Sequence, residues 1–301
     1  MISYLKNILL KIEAINPEHA DKLNKNNNAS DENYSAMANR FFGKYDNYLQ
    51  KINRAIDFGV DCYLHMHSDM LQERIKFIQS GKYSSVSFDE VEKRVYGNTE
   101  IMTYHMHGLV LAQFLWFEQY ERIKFFYNNL NKYAPACKKY LEIGGGHGLY
   151  MNEALRLLNT AEQFDLVDIS NSSLELAKGI INNSKVNYHF KNIFDFPDDT
   201  VYNFVTMGEV LEHVEEPLSL LQKVSKLIGA DGTAFITTPI NAPMIDHIYL
   251  FKNAAEIRDI FKAAGLEIAE EKIVISEQIT EKKAEKFKVP VMFAAFVKNK
   301  K

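Results

Sequence analysis

Cysteine is scarce in this chain: Cys62 and Cys137 are the only two in 301 residues. That excludes a disulfide framework and a clustered thiolate metal site, and it leaves two reduced, partly buried small hydrophobes. A charge excess is missing as well. Lys and Arg total 35 against 39 acidic residues, and a net charge of −4 gives no overall pull toward nucleic acid. No stretch is long and apolar enough to span a bilayer, and Met1-Ile-Ser-Tyr-Leu-Lys carries no long apolar run or small-residue cleavage site. A cytoplasmic protein without a membrane partner is the expectation. There is no Gly-Lys-Ser/Thr, so a nucleoside triphosphate loop is excluded, and no Gly-x-Gly-x-x-Gly of the dinucleotide type. What remains is a chain with 47% hydrophobic residues, enough for one large core or two modest ones.

Two units are expected, divided into residues 1–133 and 134–301 near Ala134-Pro135-Ala136. Polar, asparagine-rich Asn24 to Asn33 reads as a loop. From Tyr34 to about Tyr133 prolines and glycines are rare, and apolar residues recur at helical spacing. Leu71, Ile75 and Ile78 share one helix face, and Thr99 to Asn129 is one long helix, or two with a bend near Gly108. Beyond the boundary, short apolar runs alternate with helical segments. Tyr140–Ile143, Gln163–Ile169, Val186–Phe190, Asn203–Met207 and Thr233–Thr238 read as strands, with helices between them. This is the βαβ rhythm of a parallel sheet covered on both faces. Leu266–Ile275 and Val289–Val297 would add an antiparallel edge hairpin.

The first of these strands runs into a glycine turn, Tyr140-Leu-Glu142-Ile-Gly144-Gly-Gly146-His-Gly148. Open parallel sheets bind ligands beyond the carboxyl ends of their strands, and Gly144 and Gly146 let the backbone approach one closely. Glu142 would repel a pyrophosphate but can receive a cationic or ammonium-bearing ligand, which argues against a nicotinamide dinucleotide. The second strand closes on Asp168-Ile169, where the carboxylate is placed for the hydroxyls of a ribose. Asn192 and Ile193 follow the third strand and offer an amide and an apolar side chain for a base.

A second constellation follows the fourth strand, in Gly208-Glu209-Val-Leu-Glu212-His213. On a helical turn, the three-residue and four-residue spacings collect two carboxylates and one imidazole. Like charges so close are costly unless a proton or a cation shares them. His247 lies just beyond the fifth strand, at the same sheet edge. Two carboxylates and two imidazoles suit a divalent cation, with positions left for substrate oxygens. The alternative is that Glu212 and His213 line a metal-free pocket, with His213 as base or orienter.

On these residues, Tyr133 to the carboxyl end resembles the class I S-adenosylmethionine-dependent methyltransferases. The resemblance implies a Rossmann-like α/β sheet with helices on both faces, preceded here by a mainly α-helical cap. It implies S-adenosylmethionine as cofactor, held by Glu142, Gly144, Gly146, Asp168, Ile169, Asn192, Ile193 and Glu209. The Glu-x-x-Glu-His stretch is similar to that of the ubiquinone-biosynthesis O-methyltransferases. With the downstream Asp246-His247 added, it resembles the metal-dependent methyltransferases of terminal RNA ribose 2′-hydroxyls. Carried over, Glu209, Glu212, His213 and His247 would hold Mg, Mn, Fe, Co or Zn, with His213 and His247 the catalytic pair. The acidic balance and the lack of a basic, aromatic-interleaved stretch favour a small-molecule hydroxyl over RNA. A metal-free N- or O-methyltransferase and a non-catalytic cofactor-binding protein stay open. The aromatic segment around Tyr104, His105 and His107 would supply the cap's core, with one of these three reaching the pocket and a homodimer formed through the helices.

Overall fold

The computed structural model describes residues 3–27, 31–277 and 279–300. Helices α1 (Tyr4–Ile15), α2 (Pro17–Asn27), α3 (Glu32–Lys51) and α4 (Ile56–Ser80) come first. They are followed by the short α5 (Phe88–Val91), one π turn, α6 (Thr99–Leu115) and α7 (Phe117–Tyr133). Ser3 caps α1 by accepting the Lys6 amide, and Leu5, Ile8 and Ile12 form its buried stripe. Where a loop is expected at Asn24 to Asn33, α2 runs on to Asn27 and α3 starts at Glu32, with Asp31 accepting the Asn33 and Tyr34 amides. The polar composition there makes a solvated helix end and a cap; residues 28–30 lie outside the described part.

α6 is the hub of this layer, buried on nearly every side from Met102 to Leu115. The break in the Thr99–Asn129 stretch falls at Trp116, whose backbone is extended (φ −97°, ψ 128°), and not at Gly108. Gly108 has another use. A Cβ there would lie 2.9 Å from Met66 Cβ and 3.1 Å from the Cys62 carbonyl, so glycine lets α4 and α6 touch backbone to backbone. Leu71, Ile75 and Ile78 do share a face of α4, but it is an exposed face, at 47, 59 and 52%.

The second half alternates as expected: β1 (Lys139–Ile143), α8 (Leu149–Leu157), β2 (Gln163–Asp168), α9 (Asn171–Ile181) and β3 (Val186–Phe190). β4 (Phe204–Gly208), α10 (Pro217–Ile228), β5 (Thr233–Ile240), α11 (Ala254–Ala263), β6 (Leu266–Ile275), α12 (Glu281–Lys286) and β7 (Val291–Asn299) complete it. The sheet order is β3-β2-β1-β4-β5-β7-β6, parallel except for β7, which runs antiparallel to both β5 and β6. This is the Rossmann-like arrangement, with β6 rather than β7 at the edge. α10 and α11 cover one face over Leu141, Val205, Ile236 and Phe293. α7, α8 and α9 cover the other, where Phe126 sits edge-on to Tyr150 (4.9 Å) and packs on Phe235 (5.2 Å). The core on that side continues without a break into the amino-terminal helices. Among the described residues, no helix is long and apolar enough to cross a membrane.

Candidate active site

Strand β1 ends at Ile143, and the chain turns through Gly144 (φ 67°), Gly146 (φ 37°) and Gly148 (φ 70°). A Cβ on Gly144 would meet Val210 Cγ2 at 2.6 Å, and one on Gly148 would meet Ile181 Cδ1 at 2.8 Å. The turn therefore packs against the end of β4 and against α9 only because side chains are missing. The Gly146 N–H donates to Asp168 Oδ2 (3.2 Å) and the Ser170 N–H to Asp168 Oδ1 (2.8 Å), which fixes the carboxylate at the tip of β2. Burial pushes the Asp168 carboxyl up to about 6, against the pull of these two amides. Asn192 accepts the Phe194 N–H (3.0 Å) and so starts the short turn that carries Ile193.

Gly144, Gly146, Asp168, Ile169, Asn192 and Ile193 all line one cavity of about 930 Å³. Glu142 is not among the lining residues. It is buried behind the turn with Oε2 unpartnered, and burial raises its carboxyl well above the usual range.

After β4 the expected helical turn does not form. Glu209 takes a left-handed conformation (φ 56°), Leu211–His213 make a single 3₁₀ turn, and α10 waits for Pro217. The residue before a proline avoids the α region, and Pro217 is favoured as a first helical residue, so α10 starts there with Glu216 outside it. The consequence is a parting of the two carboxylates. Glu209 turns to Arg122 of α7, with Oε1 3.0 Å from Nη1, and accepts the Thr237 hydroxyl (2.8 Å). Glu212 turns inward, where Oε2 accepts the Thr238 hydroxyl (2.9 Å) and Oε1 faces His213 Nε2 (3.7 Å) and His247 Nε2 (3.9 Å). Ligand atoms of Glu212, His213 and His247 lie within 4.8 Å of one another, and Glu209 stands outside this group.

The imidazoles are oriented from behind. His247 Nδ1 donates to the Ala242 carbonyl (2.6 Å), and His213 Nδ1 faces the Asp246 carbonyl (3.0 Å) and the Tyr96 hydroxyl (3.1 Å). Both Nε2 lone pairs are thereby turned toward Glu212. Burial, reinforced by His213, pushes His247 down to about 3. Asp246 Oδ2 lies 3.6 Å from His213 Nδ1 and 3.4 Å from His105 Nε2. Burial opposes its ionisation, but the surrounding imidazoles of His213, His105 and His247 hold its carboxyl far below the ordinary range. Backbone bonds from Ile248 N (2.8 Å) and Tyr249 N (2.9 Å) to the Glu212 carbonyl tie the two segments together.

Of the three candidates in the aromatic segment, His105 reaches the cavity. Tyr104 donates outward to Asp69 (2.6 Å), and His107 is in the core with Nδ1 2.7 Å from the Tyr45 hydroxyl. Sequence reasoning missed Arg122 and Tyr96, and it gave Asp246 no role beside its neighbour His247. For Arg122 a signal existed: Glu118, Arg122 and Phe126 follow one another at four-residue steps, so two charges share a face with a core aromatic. Both line the cavity; burial raises Glu118 to about 7 despite the nearby Arg122 guanidinium. Arg122 Nε, Gln119 Oε1, His105 Nδ1, Glu212 Oε1 and Asp246 Oδ1 are buried without hydrogen-bond partners. Orphan polar atoms in number around one cavity are what a polar ligand would satisfy.

The model of a family described as methyltransferase domain matches residues 116–271. A ubiquinone biosynthesis O-methyltransferase of Neisseria meningitidis is 25% identical over 169 residues, covering 48% of this chain and 70% of that protein. One from Rickettsia bellii is 32% identical over 122 residues, 39% of this chain and 47% of that protein. A mitochondrial one from Candida albicans is 31% identical over 103 residues, 33% of this chain and 31% of that protein. The matches thus span from about a third to 70% of the length of these curated relatives. Among solved structures, the mitomycin 7-O-methyltransferase MmcR is similar in fold, with a TM-score of 0.50 and 9% identity over 78% of this chain and 68% of that one.

Proposed function

The chain belongs to the methyltransferase domain family and is an S-adenosylmethionine-dependent methyltransferase, and from that premise we propose that its acceptor is a hydroxyl oxygen of a small molecule. One observation carries the reading: the glycine turn with Asp168 and the cluster of Glu212, His213 and His247 line the same cavity. The residues fit the cofactor. The glycine cradle would be filled by any side chain, Asp168 has lone pairs left for two ribose hydroxyls, and Arg122 Nε is an orphan donor suited to a carboxylate. Bound there, S-adenosylmethionine supplies an electrophilic methyl group. The chain's own part is to hold the acceptor hydroxyl in line and to take its proton. Met102, Met106, Leu109, Trp116, Met244 and Met292 give the wall an apolar character that suits a small organic acceptor and excludes water.

We further propose that Glu212, His213 and His247 hold a divalent cation, since three protein ligands with open positions make a catalytic rather than a structural set. Such an ion would lower the pKa of a coordinated hydroxyl. A metal-free reading has its own support: His213, oriented through Nδ1 by Asp246 and Tyr96, presents Nε2 as a base. The test is methyl transfer to a panel of phenolic and aliphatic hydroxy compounds, followed as S-adenosylhomocysteine release with and without chelator. Loss of activity in chelator and its return with Mg, Mn, Fe, Co or Zn is expected. Full activity in chelator would leave the base reading, and no binding of S-adenosylhomocysteine to folded protein would overturn both.

A further inference from the structure

The cavity does not end at the cofactor side. It continues into the helical layer, where His19, Lys22, His67, Leu71, Arg74 and Trp116 line it. None of these is needed to hold the cofactor or to move a proton. The histidine rings are stacked with centroids 3.9 Å apart. His19 is fixed twice: its amide donates to Asn16 Oδ1 (3.1 Å), and its Nε2 lies 2.8 Å from the Tyr63 hydroxyl. Trp116 Nε1 donates to the same hydroxyl (2.9 Å), so one buried tyrosine holds both His19 and Trp116 in place. Arg74 donates to the carbonyls of Phe287 and Lys288, neutral partners, and the charge that acts on its guanidinium is that of exposed Glu277.

Cationic groups therefore gather at this arm. Burial, then His67 and then Lys22 lower His19 to about 4, and burial followed by Lys22 lowers His67 as well. The acids at the same mouth are Glu18 and Glu277, both exposed, and Glu18 is drawn to Lys22 at 3.2 Å across the surface. Glu118 also lines the cavity, but burial favours its neutral form up to about pH 7. Two cations, Lys22 and Arg74, thus border an apolar channel together with two imidazoles held neutral by burial, which offer N–H donors, and the carboxylates at this mouth are exposed or favour the neutral form. An anion at the mouth of the channel is the ligand that two cations and two imidazole donors suit.

We propose that this arm binds the acceptor, resting on the methyl-transfer reading above, and that the acceptor is an amphiphilic organic acid: an apolar body against Leu71, Leu109 and Trp116, and an anionic head group held by Lys22, Arg74 and the His19–His67 pair. The head group is a carboxylate or a phosphate monoester, and the hydroxyl to be methylated is at the other end, toward His213.

Trp116 is the only tryptophan in the chain, so its emission reports on the part of the cavity that it lines. The test titrates the full-length protein with octanoate, octyl phosphate, 1-octanol and octylammonium while Trp116 fluorescence is followed. One of the two anions should bind at least about tenfold more tightly than the alcohol, as a charge-assisted hydrogen bond requires, and octylammonium least of all. The better anion names the head group. Lys22 is on the surface, so Lys22→Gln should fold normally and bring that anion close to the alcohol. Equal affinity for anion and alcohol, no saturable change with any probe, or an anion preference untouched in Lys22→Gln would each overturn the proposal. Calorimetry with S-adenosylhomocysteine on the same samples separates the two readings. Cofactor binding without anion preference sinks only this inference, and absence of cofactor binding sinks the methyl-transfer reading.

Discussion

Replacing Asp168 with Asn should weaken cofactor binding and, at alkaline pH, strengthen the fold. Both effects follow from one carboxylate. It is 9% exposed, and each oxygen already accepts a backbone amide, at 2.8 and 3.2 Å. Burial raises its folded pKa from 3.8 to about 6, so the folded chain holds the proton more tightly than the unfolded chain does. This group therefore favours folding fully below 3.8, and that contribution is lost as pH rises through 6. At about 1.4 kcal/mol per pH unit, ionised Asp168 costs the ligand-free fold about 3 kcal/mol at pH 8. Asn carries no charge, but one of its two heads is an NH₂ facing a backbone N–H, which costs about 1 kcal/mol. Ligand-free Asp168→Asn should therefore be about 1–2 kcal/mol more stable than wild type at pH 8 by denaturant unfolding.

For the cofactor, the amide replaces two charge-assisted acceptors with one neutral one, a loss of about 3 kcal/mol or about a hundredfold in Kd for S-adenosylhomocysteine by calorimetry. In wild type, affinity should fall about tenfold per pH unit below 6, because the acceptor form is the ionised one. Unchanged affinity in the variant refutes the ribose assignment. A variant less stable than wild type at pH 8 refutes the burial argument.

His213→Gln should depress turnover by about 10²–10⁴-fold while S-adenosylhomocysteine binds as before, since only a group at the reacting end is lost; equal loss of both would contradict that division. Arg122→Met leaves Glu209 facing the cavity without its 3.0 Å partner and should destabilise by about 3–5 kcal/mol in denaturant melts, with Arg122→Met/Glu209→Gln recovering much of it. Burial holds His107 down at about 4, so its contribution to stability is complete above 6.5 and is lost as pH falls through 4. His107→Gln should flatten the acid limb of the stability profile, and an unchanged limb would show that another group governs it.

The sheet was legible because its signals are local. Apolar runs broken by helices specify parallel strands, and the glycines that need φ above zero or close approach stand out by type. The strand ends predicted from them carry Gly144, Asp168 and Ile193 to one cavity. Two kinds of feature were not legible. One depends on a single dihedral: nothing in Gly-Glu-Val-Leu-Glu-His shows that Glu209 turns left-handed and leaves the imidazoles to Glu212. The other depends on partners far along the chain. Arg122 meets Glu209, and His105 meets Asp246, only once helices α6 and α7 lie on the sheet. Trp116 shows the same limit, for it ends α6 and begins α7 while Gly108, the residue with the better breaker chemistry, is used to bring two helices together.

Glu212 is where the metal proposal can be put to its sharpest test. Its carboxyl is fully buried, with Oε2 on the Thr238 hydroxyl and Oε1 3.7 and 3.9 Å from two imidazole Nε2 atoms. His247 has its Nδ1 proton on the Ala242 carbonyl, so its Nε2 offers a lone pair. Three acceptors converging in a site of low dielectric repel unless something positive lies between them. A proton on Oε1 meets that need within the chain, and a divalent cation meets it from outside. Glu212→Gln discriminates, because its NH₂ copies the protonated carboxyl in shape and can donate to either imidazole, but it cannot supply the anionic ligand a cation needs. Under the metal proposal the variant should fold, bind S-adenosylhomocysteine as wild type does, and lose both activity and its response to added cation. A Glu212→Gln enzyme with full turnover would show that a proton, and not a metal, completes the cluster.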